Sequence, residues 1–227
     1  MTIDISIVIP VYNSSESIKE LVTRIVTTLE KEEATFEIIL VDDFSKDDSV
    51  KMITELNKND PRVIVMALKN NSGQQVAIKT GMKLAAGDVV ITIDDDLEYQ
   101  PEDIPLLLSA LKKSGDVVYG IPNREGYPLY RQFGSNLVDL FFNICLHKPK
   151  DIRVGSFRIL NRKTVNQIID DKIPFVYITA ITLTLTKNIG NVTVNHQERK
   201  YGKSNYNLKK LTKLFLNLFY YYRKASI

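Results

Sequence analysis

Over the first 120 residues, short β-branched runs alternate with amphipathic segments, and this alternation narrows the possible folds more than any other feature. Ile5–Val11, Glu37–Val41, Val63–Ala67, Val89–Ile93 and Val117–Tyr119 are expected strands. Ser15–Glu30, Asp47–Asn57, Gly73–Ala86 and Glu102–Lys113 are expected helices between them. Such a pattern implies βαβ units and an α/β fold with a mostly parallel, Rossmann-like sheet covered by helices. The first, second and fourth runs are continuously apolar, as central parallel strands are. In sheets of this kind ligands bind beyond the carboxyl ends of the strands. At those ends the chain carries Pro10-Val11-Tyr12-Asn13, Asp42-Asp43-Phe44-Ser45 and Asp94-Asp95-Asp96. Three polar clusters are therefore expected to converge on one edge.

The third cluster is the most demanding. An apolar run, Val89–Ile93, ends abruptly in three consecutive carboxylates followed by Leu97-Glu98. Like charges so close repel one another and are costly to hold unless a cation or hydrogen bonds compensate them. Side chains alternate faces along a strand, so Asp94 and Asp96 are expected to point one way and Asp95 the other. A hard divalent cation with oxygen ligands, bridging substrate phosphates, resolves the repulsion. The plainer alternative is a turn with surplus surface charge, ahead of Pro101 and the next helix.

Composition narrows the chemistry further. The chain has 227 residues, 44% hydrophobic and 25% charged, with a net charge of +3, which suits one large soluble core. No leader peptide is expected, because Asp4 interrupts the start and the apolar run that follows is short. No stretch reaches the roughly 18 uncharged apolar residues that span a bilayer. The single cysteine, Cys145, sits in an apolar helical pattern and is expected to be a packing residue. His147 and His196 show no zinc-ligand spacing, so any metal chemistry must use carboxylates. Charge is uneven: Arg199 to Ile227 contains eight basic residues and no acidic one.

Beyond residue 120 the pattern loosens. Tyr130–Leu146 looks helical, Val154–Leu160 extended and Arg162–Ile169 helical, while Phe175–Thr186 suits either a strand or a helix. Val192–His196 is an expected strand. From Asn207 onward, Leu208, Leu211, Leu214, Phe215, Leu218, Phe219 and Tyr222 share one helical face, with Lys209, Lys210 and Lys213 away from it. This C-terminal segment either packs on the body or lies on an anionic membrane, with lysines at the headgroups and Tyr220, Tyr221 and Tyr222 at the boundary.

Taken in order, Ile7-Val8-Ile9-Pro10-Val11-Tyr12-Asn13, Ile39-Leu40-Val41-Asp42-Asp43-Phe44-Ser45, Asn71-Ser72-Gly73-Gln74-Gln75 with Gly81, and Gly87-Asp88 leading to Asp94-Asp95-Asp96-Leu97-Glu98 resemble the motifs of family 2 glycosyltransferases of the GT-A fold. Gly155-Ser156-Phe157-Arg158 and Arg199-Lys200-Tyr201-Gly202-Lys203-Ser204 extend the match across nearly the whole chain. Within the family, the sequence is most similar to enzymes that load a sugar onto polyprenyl phosphate. The resemblance implies a GT-A catalytic domain over 1–200, with a nucleotide-binding half (1–120) and an acceptor half (121–200), followed by the basic amphipathic segment 201–227.

It also implies roles. Pro10, Tyr12, Asn13, Asp42, Asp43, Gly73, Gln74, Asp94 and Asp95 would bind the donor nucleotide, with Asp43 reading the base and Tyr12 flanking it. From the residues alone, the alternative for Asp43 is a cap on the helix beginning near Asp47, a task Ser45 could equally perform, and Gly73 reads as an ordinary helix start or an anion site. Asp94, Asp96 and Glu98 would hold Mg2+ or Mn2+. Arg124, Arg131, Ser135, Arg158 and Arg199 would bind the acceptor phosphate, and Asp94, Asp96, Arg131 and Arg199 carry the catalytic assignment. Ser14 and Ser156 depart from the family pattern, where Glu and Asp are common. The Asn-x-Gly-Gln-Gln wording points to a UDP-sugar more than to GDP-mannose.

The expected reaction is inverting transfer from a nucleoside-diphosphate sugar to polyprenyl phosphate, at the cytoplasmic face of the membrane, by a peripherally attached enzyme with no nucleic-acid partner. A polyprenyl phosphate is already ionised near neutral pH and needs no general base. The alternative, a soluble enzyme acting on a glycan hydroxyl, needs one, and Asp151, Asp170 and Asp171 are the candidates. A third possibility is a catalytically silent nucleotide-sugar or lipid-binding module, against which the intact acidic triplet stands. The sequence argues against a processive polysaccharide synthase, whose Gln-x-x-Arg-Trp signature requires a tryptophan, of which the chain has none.

Overall fold

The computed structural model describes residues 3–123, 138, 140–197 and 208–223. Seven strands form one sheet in the order β3-β2-β1-β4-β6-β5-β7. β1 (Ile5–Val11), β2 (Phe36–Asp42), β3 (Val63–Ala67) and β4 (Val89–Thr92) are mutually parallel neighbours. β5 (Val117–Pro122) pairs antiparallel with β6 (Arg158–Asn161) and parallel with β7 (Ile189–Val194). β6 also runs antiparallel to β4, so a single sheet joins the two halves of the chain. Mostly parallel pairing, as the sequence pattern requires, fits the continuously buried β1 and β2.

Helices α1 (Ile18–Leu29), α2 (Ser49–Asn59), α3 (Gln74–Leu84) and α4 (Ile104–Ser114) connect the first five strands. α5 (Arg162–Asp170), α6 (Ile178–Leu185) and α7 (Leu208–Tyr222) follow, and residues 140–145 are also helical. Phe175–Thr186, open between strand and helix in sequence, contains α6: Thr182 and Thr184 return their hydroxyls to backbone carbonyls inside it, at 2.8 and 2.7 Å. Of the extended stretch expected over Val154–Leu160, strand β6 takes only the part from Arg158 onward; β4 ends opposite Arg158, and Gly120 N–H of β5 still donates to the Phe157 carbonyl at 2.9 Å.

Two apolar layers sandwich the sheet. One packs α1, α2 and α4 against Ile7, Ile9, Ile38, Leu40, Ile91 and Ile159. The other packs α3, α5 and α6 against Val8, Ile39, Val41, Val90 and Leu160. α3 approaches β1 so closely that a Cβ on Gly81 would collide with the Val8 side chain. Pro10 is tolerated inside a central strand for a local reason. The Val8 carbonyl accepts the Ile93 N–H at 3.3 Å, and β4 pairs with β1 no further than Val8. Alternate residues of a parallel strand face the same neighbour, so the N–H that Pro10 lacks faces a side β4 has already left.

Candidate active site

The three polar clusters do converge, and hydrogen bonds lace them together. Asn13 N–H donates to Ser45 Oγ at 2.9 Å and Lys46 N–H donates to Asn13 Oδ1 at 2.7 Å, zipping the loops after β1 and β2. Asp42, at the end of β2, accepts Phe44 N–H and Ser45 N–H on Oδ2, at 3.0 and 3.1 Å, while its buried Oδ1 has no partner. Asn13, Phe44 and Leu97 adopt left-handed φ of 53°, 67° and 61°, one in each of the three loops. Strained backbone concentrated along one sheet edge is characteristic of a working site. Tyr12 and Phe44 are 41% and 40% exposed, large rings left at the rim, and Lys46 Nζ lies 3.4 Å over the Phe44 ring.

Asp43 has a structural task. Its Oδ1 accepts Ser72 N–H at 2.6 Å and its Oδ2 accepts Gly73 N–H at 2.8 Å, which pins the turn opening α3. Gly73 sits at φ 91°, where a side chain would be strained. Burial pushes the Asp43 carboxyl up, against the lowering effect of those two N–H groups. The Gly73 N–H expected to face an anion is therefore already spent on Asp43.

β4 ends at Thr92, so the acidic triplet lies in a turn and strand alternation does not govern it. Asp94 and Asp95 nevertheless point apart. Asp94 accepts Gln74 Nε2 on Oδ1 at 2.7 Å and Ser156 Oγ on Oδ2 at 2.5 Å, joining the start of α3 to the loop before β6. Asp95 turns back to β1: its Oδ2 accepts Tyr12 N–H at 3.0 Å and the Ser14 hydroxyl, and its carbonyl accepts Ser17 Oγ at 2.6 Å. Asp96 Oδ1 accepts Glu98 N–H at 3.0 Å, closing the turn. Burial first, then the adjacent carboxylates, pushes Asp94 up to about 7, while Arg158 and Ser156 oppose the rise. Burial pushes Asp95 up to about 6.

Several expected ligands are placed differently. Among the described residues, no three His, Cys, Asp or Glu side chains converge to hold a metal ion. Glu98 instead lies 3.5 Å from His196 Nε2, because the chain reverses at Leu97 and Tyr99 bridges to His196. Arg158 is 1% exposed in β6, its guanidinium bonded to Thr92 and Thr179 hydroxyls, so it does not offer a surface to an acceptor phosphate. Arg124, Arg131, Ser135 and Arg199 lie outside the described residues. Ser14 and Ser156, which sequence left without a role, each hold one carboxylate of the triplet. Their only signal in sequence was that they replace acidic residues of the family pattern.

Asp94 and Asp96 still fit a divalent cation. They are hard oxygen donors in a cluster whose mutual repulsion calls for positive charge, and Mg2+ commonly binds through one or two carboxylates plus substrate phosphates.

A mostly parallel sheet flanked by helices, with an Asp-rich turn, the β1 loop and a helix start at its carboxyl edge, has the architecture of the GT-A fold. The chain belongs to glycosyl transferase family 2, whose model matches residues 6–175. It is 34% identical over 219 residues to undecaprenyl-phosphate 4-deoxy-4-formamido-L-arabinose transferase of Proteus mirabilis (strain HI4320), covering 94% of this chain and 66% of that protein. The Yersinia enterocolitica enzyme of the same name is 33% identical over 215 residues, with the same coverage. The chain thus spans about two thirds of these relatives. Among solved structures, glucosyl-3-phosphoglycerate synthase from Mycobacterium tuberculosis, in complex with Mn2+, UDP-glucose and phosphoglyceric acid, superposes with a TM-score of 0.71 at 17% identity. That match covers 99% of this chain and 80% of the other. The same synthase with Mg2+ and UDP gives a TM-score of 0.63 at 17% identity, covering 96% and 79%.

Proposed function

We propose that this protein transfers a sugar, with inversion, from a nucleoside-diphosphate sugar to polyprenyl phosphate at the cytoplasmic face of a membrane. A UDP-sugar is the favoured donor. One observation carries this reading: Asp94 and Asp95 tie the β1 loop, the start of α3 and the loop before β6 around a single carboxylate-rich turn. The curated relatives are named for undecaprenyl-phosphate sugar transfer. The mycobacterial synthase of like fold is held with Mn2+ or Mg2+ and a uridine nucleotide.

In this reading Tyr12 flanks the base and Asp43, by pinning Ser72 and Gly73, shapes the pocket that receives it. Asp94 and Asp96 hold Mg2+ or Mn2+ against the diphosphate. The ion, when bound, supplies positive charge to the departing nucleoside diphosphate. Asp94 meets Ser156 where the family pattern places a carboxylate. Asp170 and Asp171 stand at the end of α5 beside Lys79, along α3 from Gln74. An acceptor that is already an anion fits such a site, needing only cations to hold it. Arg124, Arg131, Ser135 and Arg199 are proposed for that task.

For the membrane contact we propose a patch larger than the C-terminal segment alone. Leu140 and Ile144 on helical residues 140–145, with Leu216, Phe219 and Tyr220 on α7, are exposed. The two helices touch through Phe141 and Phe215, whose ring centroids are 6.1 Å apart. Exposed Lys213 and Arg223 flank this apolar surface, a pairing suited to an anionic bilayer. No helix among the described residues is long and apolar enough to cross a membrane.

A transfer screen tests the proposal: several UDP- and GDP-sugars, each with and without polyprenyl phosphate and Mn2+. Lipid-linked sugar formed from a UDP-sugar only when both are present supports it. Transfer to a glycan hydroxyl, with polyprenyl phosphate left unmodified, would refute it.

A further inference from the structure

Arg158 is a buried cation at the start of β6, between β4 and β5, and its surroundings are unusual. It faces Thr92 on β4 and Tyr119 on β5 across the two antiparallel registers. Nε donates to Thr92 Oγ1 at 3.1 Å, Nη1 donates to Thr179 Oγ1 at 3.0 Å, and the guanidinium carbon lies 5.8 Å from the Tyr119 ring centroid. Among the described residues no carboxylate lies within ion-pairing reach of it. A guanidinium cannot shed its charge to relieve burial, and a buried charge without an ion partner is expensive to keep. A sheet position that only needed filling would take an aliphatic residue.

What lies ahead of Arg158 accounts for it. Thr92, the last residue of β4, donates its hydroxyl hydrogen bond to the Ser156 carbonyl at 2.6 Å. Ser156 Oγ in turn donates to Asp94 Oδ2 at 2.5 Å. Arg158 and Thr92 thus reach Asp94 through a single residue, Ser156, whose carbonyl accepts from Thr92 and whose hydroxyl donates to the acidic turn. The acid cluster attracts the guanidinium, and the hydroxyls on either side fix where it rests.

We propose that Arg158 is a positioning residue for the glycosyl donor. Through Thr92 and Ser156, its fixed charge sets the Asp94 carboxylate for the nucleoside diphosphate and its divalent ion, while Arg158 itself touches neither. This rests on the donor-site reading above. The competing account is that Arg158 only staples β6 to α6 through Thr179.

Calorimetric titration of UDP in Mn2+, with thermal melting of each variant, separates the two. Arg158→Met removes the charge at similar length, Arg158→Lys keeps it, and Ser156→Ala removes the link to Asp94. If the inference holds, Arg158→Met weakens Mn2+–UDP binding at least tenfold and Arg158→Lys restores most of that loss. Adding Ser156→Ala to Arg158→Met then costs less than twofold more, because the link is already broken. A folded Arg158→Met protein that binds Mn2+–UDP within twofold of the parent overturns it, as do losses from the two substitutions that simply multiply. Should Arg158→Met fail to fold, Thr92→Val replaces it in the same cycle with Ser156→Ala, read by the same criteria. A parent protein that binds neither UDP nor GDP with Mn2+ would instead overturn the donor site itself, and the inference with it.

Discussion

The carboxylate of Asp95 accepts the backbone N–H of Tyr12 at 3.0 Å, so the turn after the fourth strand holds the loop after the first. The Ser14 hydroxyl donates to the same oxygen. Since Tyr12 is exposed at the rim, its placement depends on this carboxylate rather than on packing of its own ring.

Asp95→Ala therefore releases the Tyr12–Ser14 turn. Hydrogen bonds to charged groups contribute about 1.5–3 kcal/mol, so nucleotide affinity should fall by roughly one to two orders of magnitude, together with a lower melting temperature. Asp95→Asn, which keeps an acceptor oxygen, should lose less. Calorimetry with UDP and Mn2+ checks this, and equal affinity in Asp95→Ala and the parent would contradict it.

Stability should depend on pH through the acidic turn. Asp94 is pushed up to about 7 and Asp95 up to about 6, above an unfolded aspartate near 3.9. Between about pH 4 and 7 the folded protein holds protons that the unfolded chain has released. These two groups thus lower stability as pH rises through that window, and the deficit is complete above it. Metal-free protein should gain melting temperature from Asp94→Asn at pH 8 and little at pH 4.5. Mn2+ with UDP should raise the parent's melting temperature more at pH 8 than at pH 5.5. Asp94→Asn shifting the melting temperature equally at both ends of the window would defeat this assignment.

Gly87 is a packing constraint outside the site. A Cβ there would lie 2.7 Å from Ser6 N and 2.8 Å from Ile5 C, both backbone atoms that cannot swing aside. Its own N–H donates to Ser6 Oγ at 2.8 Å. Gly87→Ala should cost about 1–3 kcal/mol by overpacking, a fall of several degrees in melting temperature for a domain of this size. Thermal denaturation reads it directly, and an unchanged midpoint would show that the strand can shift.

The apolar surface on residues 140–145 and α7 predicts sedimentation with anionic vesicles. Ile144→Glu and Leu216→Glu change side chains that are 65% and 60% exposed, so folding should survive. Each should weaken vesicle binding severalfold, and high salt should weaken the parent's binding too. Undiminished binding by the double variant would place the contact elsewhere.

Much of this was legible in sequence because the parallel half of the sheet is periodic. Apolar runs ending in polar clusters located β1, β2 and β4, and with them the edge where Tyr12, Asp43 and Asp94 meet. The acidic turn was only partly legible: Asp94 and Asp95 do diverge, but through a turn rather than a continued strand. The contact between Glu98 and His196 was not legible, because a left-handed residue, Leu97, reverses the chain in a way spacing does not reveal. The burial of Arg158 was hidden for a different reason. An arginine beside a phosphate site and one beneath an acidic turn look alike until the antiparallel return of β6 buries the second. Ser14 and Ser156 act through tertiary contacts 81 and 62 residues away in sequence, which no local pattern encodes.

The central claim is that the acidic turn exists to bind a nucleoside diphosphate through a divalent cation, and calorimetric titration of UDP tests it most directly. With Mn2+ present the parent should bind, binding should collapse when the metal is chelated, and Asp96→Ala should abolish the metal-dependent part while melting cooperatively. Binding of UDP that is indifferent to Mn2+ and to Asp96→Ala would contradict the account.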